Sequence, residues 1–244
     1  MKRRQEQILN IISERTFITV NELAELTYTS PSSIRRDLTY LQNNNLVKRS
    51  HGGVTLPEPI SGVAGFYDRT RKNIREKRLI AQRASLLLCE GQKIILDSSS
   101  TAAFLLPYIA KYKFATVFTN NLTTAVKAIE LGIDTHCLGG HSVNGSPSLS
   151  GSETFDALSK IKADILFFSS QSLNSDGVIS DSTEEENFVR SLMLRAAKKT
   201  VFLCDSEKFD KESTYILTNL NEIDHFIFDK EYEKLSKKCY KNIF

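Results

Sequence analysis

The chain has 244 residues, more than most single domains, so its length favours two domains. Hydrophobic residues make up 41% of it, which is enough to fill ordinary cores and excludes a disordered chain, and no apolar run approaches membrane-spanning length. We therefore expect a globular protein of the cytoplasm with no membrane partner.

The net charge of +3 is unevenly distributed along the chain. Residues 1–78 contain 14 Lys or Arg and 8 Asp or Glu, a net charge of +6, whereas the remaining residues contain 18 and 21, a net charge of −3. A basic first third on a neutral or acidic body is the distribution expected of a nucleic-acid-binding head.

The cysteines and histidines do not have the spacing of a metal site. Cys89, Cys137, Cys204 and Cys239 lie far apart without a Cys-x-x-Cys pair, and the four histidines are scattered. We therefore predict small buried thiols in a reducing compartment, no metal and no cofactor.

Three helices are predicted at the start of the chain. Residues 2–14 place apolar side chains on one side of a helix, and the capping-box spacing from Thr19 to Glu22 marks the start of a short second helix. Ser30 is a good N-cap and Pro31 suits the first helical position, so a third helix begins there.

The third helix has two different faces. Ile34, Leu38 and Leu41 fall on one side, and Arg36 lies nearly opposite them among hydroxyl and amide side chains. Such a face pairs with phosphates and base edges, so we interpret this helix as the recognition helix of a helix-turn-helix. A solvated surface helix has the same pattern and is the alternative. Asp37 is interpreted as structural, because phosphates repel a carboxylate.

A hairpin is predicted after the third helix. Residues 46–50 and 54–56 are strand-like and flank a turn at His51, Gly52 and Gly53. This "wing" would carry basic side chains to the DNA backbone, although His51 is also explained as an ordinary exposed turn residue. The residues that we predict to contact DNA are Thr29, Ser30, Ser32, Ser33, Arg35, Arg36, Tyr40, Arg49 and His51.

Prolines and glycines after the hairpin mark a domain boundary. We predict a winged helix-turn-helix domain over residues 1–56, a linker over 57–75 and an α/β domain over 76–244. The basic run from Arg69 to Arg78 is interpreted as a solvated helix start, with an additional phosphate contact as the alternative. Pro107 should kink or end the helix in which it lies.

The α/β domain is predicted from alternating strand-like and helical stretches, a pattern typical of a parallel sheet covered by helices. The strand-like runs are Ile94–Leu96, Thr116–Phe118, Thr135–Leu138, Ile165–Phe168, Val201–Leu203 and Phe226–Phe228. Small, polar or glycine residues follow most of these runs. Because the carboxyl ends of parallel strands meet at one edge, we expect these loops to form a ligand crevice.

Hydroxyls and amides backed by helix N-termini suit a phosphorylated ligand. Asp97 to Thr101 is the strongest candidate stretch, although Ser and Thr there are also explained as helix caps. The residues that we assign to the crevice are Asp97, Ser98, Ser99, Ser100, Thr101, Thr119, Asn120, Asn121, Gly139, Gly140, Gly151, Glu184 and Lys208.

The chain resembles the DeoR family of bacterial transcription regulators. The stretches that carry the resemblance are Ser33 to Leu38, Leu46 to Arg49, His51-Gly52-Gly53, Lys77 to Ala81, Asp97 to Thr101, Thr119 to Leu122, Leu138 to Gly140, Gly151, Asp176-Gly177 and Asp205 to Phe209. The resemblance implies a Rossmann-like sensor domain related to ribose-5-phosphate isomerase. It also implies that a sugar phosphate relieves repression, or in some members alters activation, of a carbohydrate operon.

Two positions depart from the family pattern. Ser99 stands where members usually have glycine, and Ser169-Ser170-Gln171 stands where a glycine usually follows the fourth strand. The extra side chains narrow the specificity, replace backbone contacts with hydroxyl contacts, or mark a sensor that has lost the usual ligand.

The sequence leaves three functions to compare. The leading one is a DNA-binding repressor released by a phosphorylated sugar, and it would be a dimer or tetramer because operators are usually repeated sites. The second is a sugar-phosphate isomerase with a DNA-binding head, using Glu184, Glu185, Glu186, Asp205 or Lys208 for proton transfer. The third is an architectural DNA binder that needs no ligand.

Overall fold

The computed structural model describes residues 3–13, 15, 17–43, 46–50, 52–55 and 61–236. The chain divides into two compact units, Met1–Ile60 and Ser61–Phe244. In the described part of the chain, no helix is both long and apolar enough to cross a membrane.

The first unit consists of three helices and a small antiparallel sheet in the strand order β1-β3-β2. Its elements are α1 (Arg3–Ser13), β1 (Ile18–Thr19), α2 (Val20–Leu26), α3 (Pro31–Asn43), β2 (Lys48–Ser50) and β3 (Gly53–Thr55). The three helices and the hairpin agree with the prediction, whereas β1 is too short to have been recognised. His51, at the tip of the wing, lies outside the described residues.

The helices of the first unit pack through the apolar faces that their periodicity indicated. Ile8 and Ile12 of α1, Leu23 of α2, and Leu38 and Leu41 of α3 belong to one buried cluster. The predicted capping box is confirmed, since Thr19 Oγ1 accepts from the Glu22 amide at 3.2 Å and Glu22 Oε2 accepts from the Thr19 amide at 2.8 Å. One core therefore fixes the orientation of α3.

The second unit is an α/β fold. Its helices are α4 (Ser61–Arg71), α5 (Ile74–Ala84), α6 (Ser100–Ala103), α7 (Leu106–Ile109), α8 (Leu122–Glu130), α9 (Ser152–Ser159), α10 (Glu184–Ala196) and α11 (Glu233–Ser236). Its strands are β4 (Lys93–Leu96), β5 (Thr116–Thr119), β6 (Asp134–Cys137), β7 (His141–Ser142), β8 (Leu149–Ser150), β9 (Ile165–Phe168), β10 (Ser172–Leu173), β11 (Val178–Asp181), β12 (Thr200–Cys204), β13 (Tyr215–Asn219) and β14 (His225–Phe228).

Six parallel strands form the central sheet, in the order β6-β5-β4-β9-β12-β14. They coincide with the six strand-like runs of the sequence to within a residue or two at each end. The order reverses direction between β4 and β9, and in doubly wound sheets a ligand crevice lies at that reversal, beyond the carboxyl ends of the strands.

Both faces of the central sheet, except at its exposed edge strand β6, are buried, each in its own apolar cluster. Leu96, Phe167 and Leu203 point into the cluster that also contains Ile80 of α5 and Leu105. The neighbouring strand residues, such as Leu166 and Phe202, point into the cluster on the opposite face. Helices therefore cover the sheet on both sides, as the continuous apolar strands require.

Several features differ from the sequence-based expectations. An antiparallel sheet of β10, β11 and β13 and the β7–β8 pair were not predicted, because their strands are short and lack alternation. Helix α4 lies within the predicted linker and belongs to the second unit. Pro107 lies in α7, which is separate from α6, so the predicted break is confirmed.

The cysteine prediction was partly wrong. Cys204 is buried in β12, where burial raises the pKa of its thiol, but Cys89 and Cys137 are exposed. Cys89 lies in a turn region and Cys137 at the edge strand β6, so neither position is covered by a helix. Cys239 lies outside the described residues.

Candidate functional site

The outward face of α3 presents the side chains that the sequence assigned to DNA. Ser30, Ser32, Arg35, Arg36 and Tyr40 are exposed, while Thr29 and Ser33 are half-buried. The Ser30 hydroxyl lies at the helix start, where it accepts weakly from the Ser33 amide at 3.4 Å.

Asp37 has a structural role. Its side chain is buried, and its two carboxylate oxygens accept from Arg4 Nε at 2.6 Å and Gln5 Nε2 at 3.2 Å. The carboxylate therefore joins α1 to α3 and leaves Arg35 and Arg36 available on the outer face, as the sequence analysis predicted.

The wing places a second cation beside α3. Arg49 is exposed in β2, and its Nη1 donates to Thr39 Oγ1 of α3 at 3.4 Å. Arg35 and Arg49 also line one surface depression of about 370 Å³, together with Thr19, Val20, Asn21, Ser50, Gly52 and Gly53. Paired cations beside small polar groups are suited to gripping phosphates of a nucleic-acid backbone.

In the second unit, a cleft of about 610 Å³ opens at the carboxyl ends of β4 and β9. It lies at the reversal of strand order, where the topology places a ligand site. The residues that line it are Arg69, Lys72, Ser98, Ser99, Ser100, Ser169, Ser170, Gln171, Ser172, Asp181, Glu186, Arg190, Lys208, Lys211, Glu212 and Ser213. Hydroxyls and cations thus dominate the wall, as recognition of a phosphorylated polyol requires.

A buried ionic network forms the base of this cleft. Arg190 of α10 is 5% exposed; its Nε donates to Asp97 Oδ2 at 2.9 Å and its Nη1 to Asp181 Oδ2 at 2.8 Å. Glu186 lies 3.5 Å from Nη2. Burial alone would lower the pKa of Arg190, but the carboxylates of Asp181, Asp97 and Glu186 outweigh it and raise that pKa.

Asp97 also orders the first loop of the cleft. Its Oδ1 accepts from the Ser99 amide at 3.1 Å and from the Ser99 hydroxyl at 2.5 Å, and Ser99 Oγ in turn accepts from the Ala102 amide at 3.2 Å. Ser99 is therefore the N-cap of α6, which is the alternative role considered for these residues. Ser98 and Ser100, by contrast, are used in no such cap.

Lys208 stabilises one wall of the cleft through contacts with two of its loops. Its Nζ donates to Ser169 Oγ at 2.7 Å and lies 3.4 Å from Asp205 Oδ2. Asp205 in turn accepts from Asn73 Nδ2 at 3.1 Å. Lys208 thus links the loop after β9 to the loop after β12.

Lys77 fixes the segment that supplies two further cations of the cleft, Arg69 and Lys72. Its buried Nζ donates to the carbonyl oxygens of Arg69 and Lys72, the latter at 2.9 Å. Burial, together with the charge of Lys208, lowers the pKa of Lys77 to about 8. The side chains of Arg69 and Lys72 are exposed and line the cleft.

The structure brings only part of the predicted crevice together. Ser98, Ser99, Ser100 and Lys208 line the cleft, with Asp97 beneath it. The predicted residues that do not line it are Thr101, Thr119, Asn120, Asn121, Gly139, Gly140, Gly151 and Glu184.

Local contacts explain why some of these residues lie elsewhere. Asn121 caps α8 through a 2.9 Å bond from the Thr124 amide, and Asn120 Nδ2 donates to the Leu149 carbonyl at 2.8 Å. Glu184 lines a separate depression beside Glu185 and Phe188 at the start of α10. Thr101 Oγ1 and Asn120 Oδ1 are buried without a hydrogen-bond partner in the described part of the chain.

The sequence analysis missed the central cation of the cleft. Arg190 lies on the buried face of α10 with Asn187 and Met193. Arg190 is three residues from each of the other two, so helical periodicity places it on the same face. A charged residue on such a buried face is unusual, and this spacing was the signal from which Arg190 could have been predicted. Lys72 lies in the basic run from Arg69 to Arg78, for which a phosphate contact was the alternative interpretation, whereas Asp181 and Lys211 had no such signal.

Comparisons with known proteins agree with the two-unit architecture. The family model described as the DeoR C terminal sensor domain matches residues 72–230, and the DeoR-like helix-turn-helix domain model matches residues 4–59. The HTH-type transcriptional regulator GolR of Listeria innocua is 32% identical over 239 residues, which cover 98% of this chain and 93% of that protein. The HTH-type transcriptional repressor GlcR of Bacillus subtilis is 30% identical over 224 residues, covering 91% and 86%. Among solved structures, ribose 5-phosphate isomerase from Plasmodium falciparum matches with a TM-score of 0.40 and 18% identity, covering 55% of this chain and 52% of that one.

Proposed function

Since the chain belongs to the DeoR family, and is therefore a DNA-binding transcriptional regulator rather than an enzyme, we propose that it represses a carbohydrate operon and is released by a phosphorylated sugar. The observation that carries the proposal is the convergence of cations and serine hydroxyls in the cleft at the β4–β9 reversal.

The charge of the cleft supports an anionic ligand. Five cations line it, against the carboxylates of Asp181, Glu186 and Glu212. The network around Arg190 is internally neutralised, so Arg69, Lys72 and Lys211 are the cations left to meet a phosphate. The serines beside them offer hydroxyl donors and acceptors that match the hydroxyls of a sugar.

The head supports the DNA-binding half of the proposal. Arg36 and Tyr40 project from α3, and Arg35 and Arg49 line a second cationic depression. One such helix offers few base contacts, so operator recognition requires at least two copies on a repeated site. We therefore propose that the regulator acts as a homo-oligomer, a dimer or a tetramer.

The ligand is tested by thermal unfolding of the full chain with pentose and hexose monophosphates, the unphosphorylated sugars and inorganic phosphate. At least one sugar phosphate should raise the unfolding temperature, because a ligand that binds only the folded state stabilises it. The free sugars should have no effect. Lys72→Ala should abolish the shift, whereas Lys113→Ala, which removes an exposed cation outside the cleft, should preserve it.

The regulatory consequence is tested by selecting an operator from random duplex DNA and repeating its gel shift with the best sugar phosphate. Release of the DNA supports repression that the sugar phosphate relieves, whereas tighter binding would contradict that direction. No shift in unfolding temperature with any sugar phosphate would favour a DNA binder that needs no ligand.

A further inference from the structure

A second cavity lies on the outer surface of the α5–α8 layer, away from the reversal of strand order. Its volume is about 800 Å³, and it is formed where α5, α7 and α8 approach one another. Its cations are Arg75, Arg78, Lys111 and Lys127. We call it the outer cavity.

Among the residues that the structure describes, no carboxylate lines the outer cavity. The described part of the chain also shows no ion pair for any of its four cations. The cleft at the β4–β9 reversal differs, because Asp181, Glu186 and Glu212 line it beside its cations. The outer cavity is therefore the more electropositive of the two. Its four cations repel one another because no counter-charge lies among them, and a bound anion would offset that repulsion.

One wall of the outer cavity is apolar. Phe104, Pro107 and Tyr108 lie on it, and Leu79 stands between Arg75 and Gln82 on the outer face of α5. Lys111 already lies over the Tyr108 ring, with Nζ 5.2 Å from the ring centroid. On an ordinary basic helix face, the cations repel one another and spread into water, which needs neither a concave surface nor an apolar wall. The outer cavity has both features, so charge repulsion by itself does not explain the arrangement.

We propose that the outer cavity binds an organic polyphosphate that carries a flat apolar group. The phosphates pair with Arg75, Arg78, Lys111 and Lys127, since guanidinium and ammonium groups are the side chains suited to phosphate oxygens. The flat group lies against the half-buried rings of Phe104 and Tyr108, where it covers the part of their aromatic surface that remains accessible. This site is separate from the sugar-phosphate cleft and does not rest on the function proposed for it.

The proposal is tested with three probes on the full chain by isothermal titration calorimetry, at low salt and without added Mg²⁺. ATP carries both recognised features, tripolyphosphate has only the anionic part and adenosine only the ring. ATP should bind most tightly. Tripolyphosphate should bind at least about tenfold more weakly, and adenosine should show no measurable binding.

Two variants locate the site. Arg78→Ala and Lys127→Ala should each weaken ATP binding by about tenfold, the loss expected of one charge-assisted phosphate contact. Both side chains are exposed, so the variants should keep the unfolding temperature of the parent chain. Lys113→Ala is the control; this exposed residue lines neither the outer cavity nor the cleft, and the variant should leave ATP binding unchanged.

Three results would overturn the proposal. They are no detectable binding of ATP at a ligand concentration of about 1 mM; equal affinity for ATP and tripolyphosphate; and unchanged ATP binding in both variants. Loss of operator affinity in Arg78→Ala with no loss of ATP binding would identify the surface as a DNA contact instead.

Discussion

At the scale of single residues, the cleft depends on a charge that is almost fully removed from water. Arg190 is held by the buried carboxylates of Asp97 and Asp181, and loss of the guanidinium would leave both acids without a counter-ion. Arg190→Met should therefore lower the free energy of unfolding by about 3–5 kcal/mol, the usual effect of breaking a buried ion pair from one side. Urea denaturation followed by circular dichroism measures it.

The matched control for this variant is Lys198→Ala, which removes an exposed ion pair with Asp164 and should cost about 0–1 kcal/mol. Adding Asp181→Asn to Arg190→Met should recover part of the stability. Equal losses for Arg190→Met and Lys198→Ala would show that the buried network does not stabilise the fold.

Lys77 gives the fold a dependence on alkaline pH. Its pKa is lowered from 10.5 to about 8 in the folded chain, so the unfolded chain binds more protons between those pH values. Stability contributed by Lys77 therefore rises as the pH increases from about 8 towards 10.5. The free energy of unfolding should increase between pH 7.5 and about 9.5 relative to Lys77→Met, as measured by urea denaturation. A difference between the two proteins that stays constant with pH would contradict the lowered pKa.

Single residues also show which roles could be predicted from the sequence and which could not. Asp37 was interpreted correctly because electrostatics alone disfavours a carboxylate facing DNA, and Ser99 had the cap as a considered alternative. Arg190 was missed because its partner Asp97 lies 93 positions away along the chain. Only the assembled sheet brings the two together.

At the scale of elements, α3 carries the base-reading part of the proposal. Arg36→Ala removes an exposed guanidinium without touching the buried residues Ile34 and Leu38. If Arg36 makes a bidentate contact to a base, the variant should weaken operator binding by about 1–3 kcal/mol. Gel shifts measure this, with Arg15→Ala as a control for an exposed cation of the head that is not on α3. An unchanged midpoint for folded Arg36→Ala protein would remove that residue from the interface.

In the loop between β6 and β7, close approach of the backbone of β8 leaves no room for a side chain at Gly140. Gly140 has φ of +106°, and a Cβ there would overlap the Ser150 carbonyl oxygen and lie 2.6 Å from Thr154 Oγ1. Gly140→Ala should therefore cost roughly 2–5 kcal/mol, from the unfavourable φ and from the overlap. Gly132→Ala provides the comparison, because Gly132 has φ of +75° with nothing within 4 Å of a Cβ, and it should cost only about 1–2 kcal/mol. Thermal unfolding compares the two, and similar losses would indicate that the loop adjusts.

The elements that sequence patterns found were those with strong periodicity. Of the six parallel strands, all but β6 contain apolar runs, and α3 has a cap, a Pro at its start and one apolar face. The strands β10, β11 and β13 have only two to five residues, and β13 joins β11 from a distant part of the sequence, so apolar periodicity does not reveal this sheet.

At the scale of the whole molecule, strand order determines where chemistry concentrates. The sequence indicated a parallel sheet with polar loops at its carboxyl edge, but it did not indicate which loops meet. Because the order reverses between β4 and β9, the loops after these two strands share the cleft, while Asn121 after β5 caps α8 and Asn120 donates to the Leu149 carbonyl. Topology, rather than residue type, therefore selects the members of the site.

A ligand in the second unit regulates DNA binding only if the two affinities are linked. If the best sugar phosphate changes the operator dissociation constant by some factor, the operator must change the dissociation constant of that sugar phosphate by the same factor. A coupling of about 1–3 kcal/mol, typical of allosteric proteins, corresponds to about 5–150-fold. Fluorescence anisotropy of labelled operator and calorimetric titration of the sugar phosphate, each with and without the other partner, measure the two factors.

Lys208→Ala separates this linkage from damage to the head. Lys208 joins the loop after β9 to the loop after β12 and lies in the second unit, whereas α3 lies in the first. The variant should bind operator as tightly as the parent chain does without ligand, yet lose about tenfold or more of its affinity for the sugar phosphate, since it removes the cation that links the two loops of the cleft. A variant that kept the full response of DNA binding to sugar phosphate would place the regulatory ligand outside this cleft.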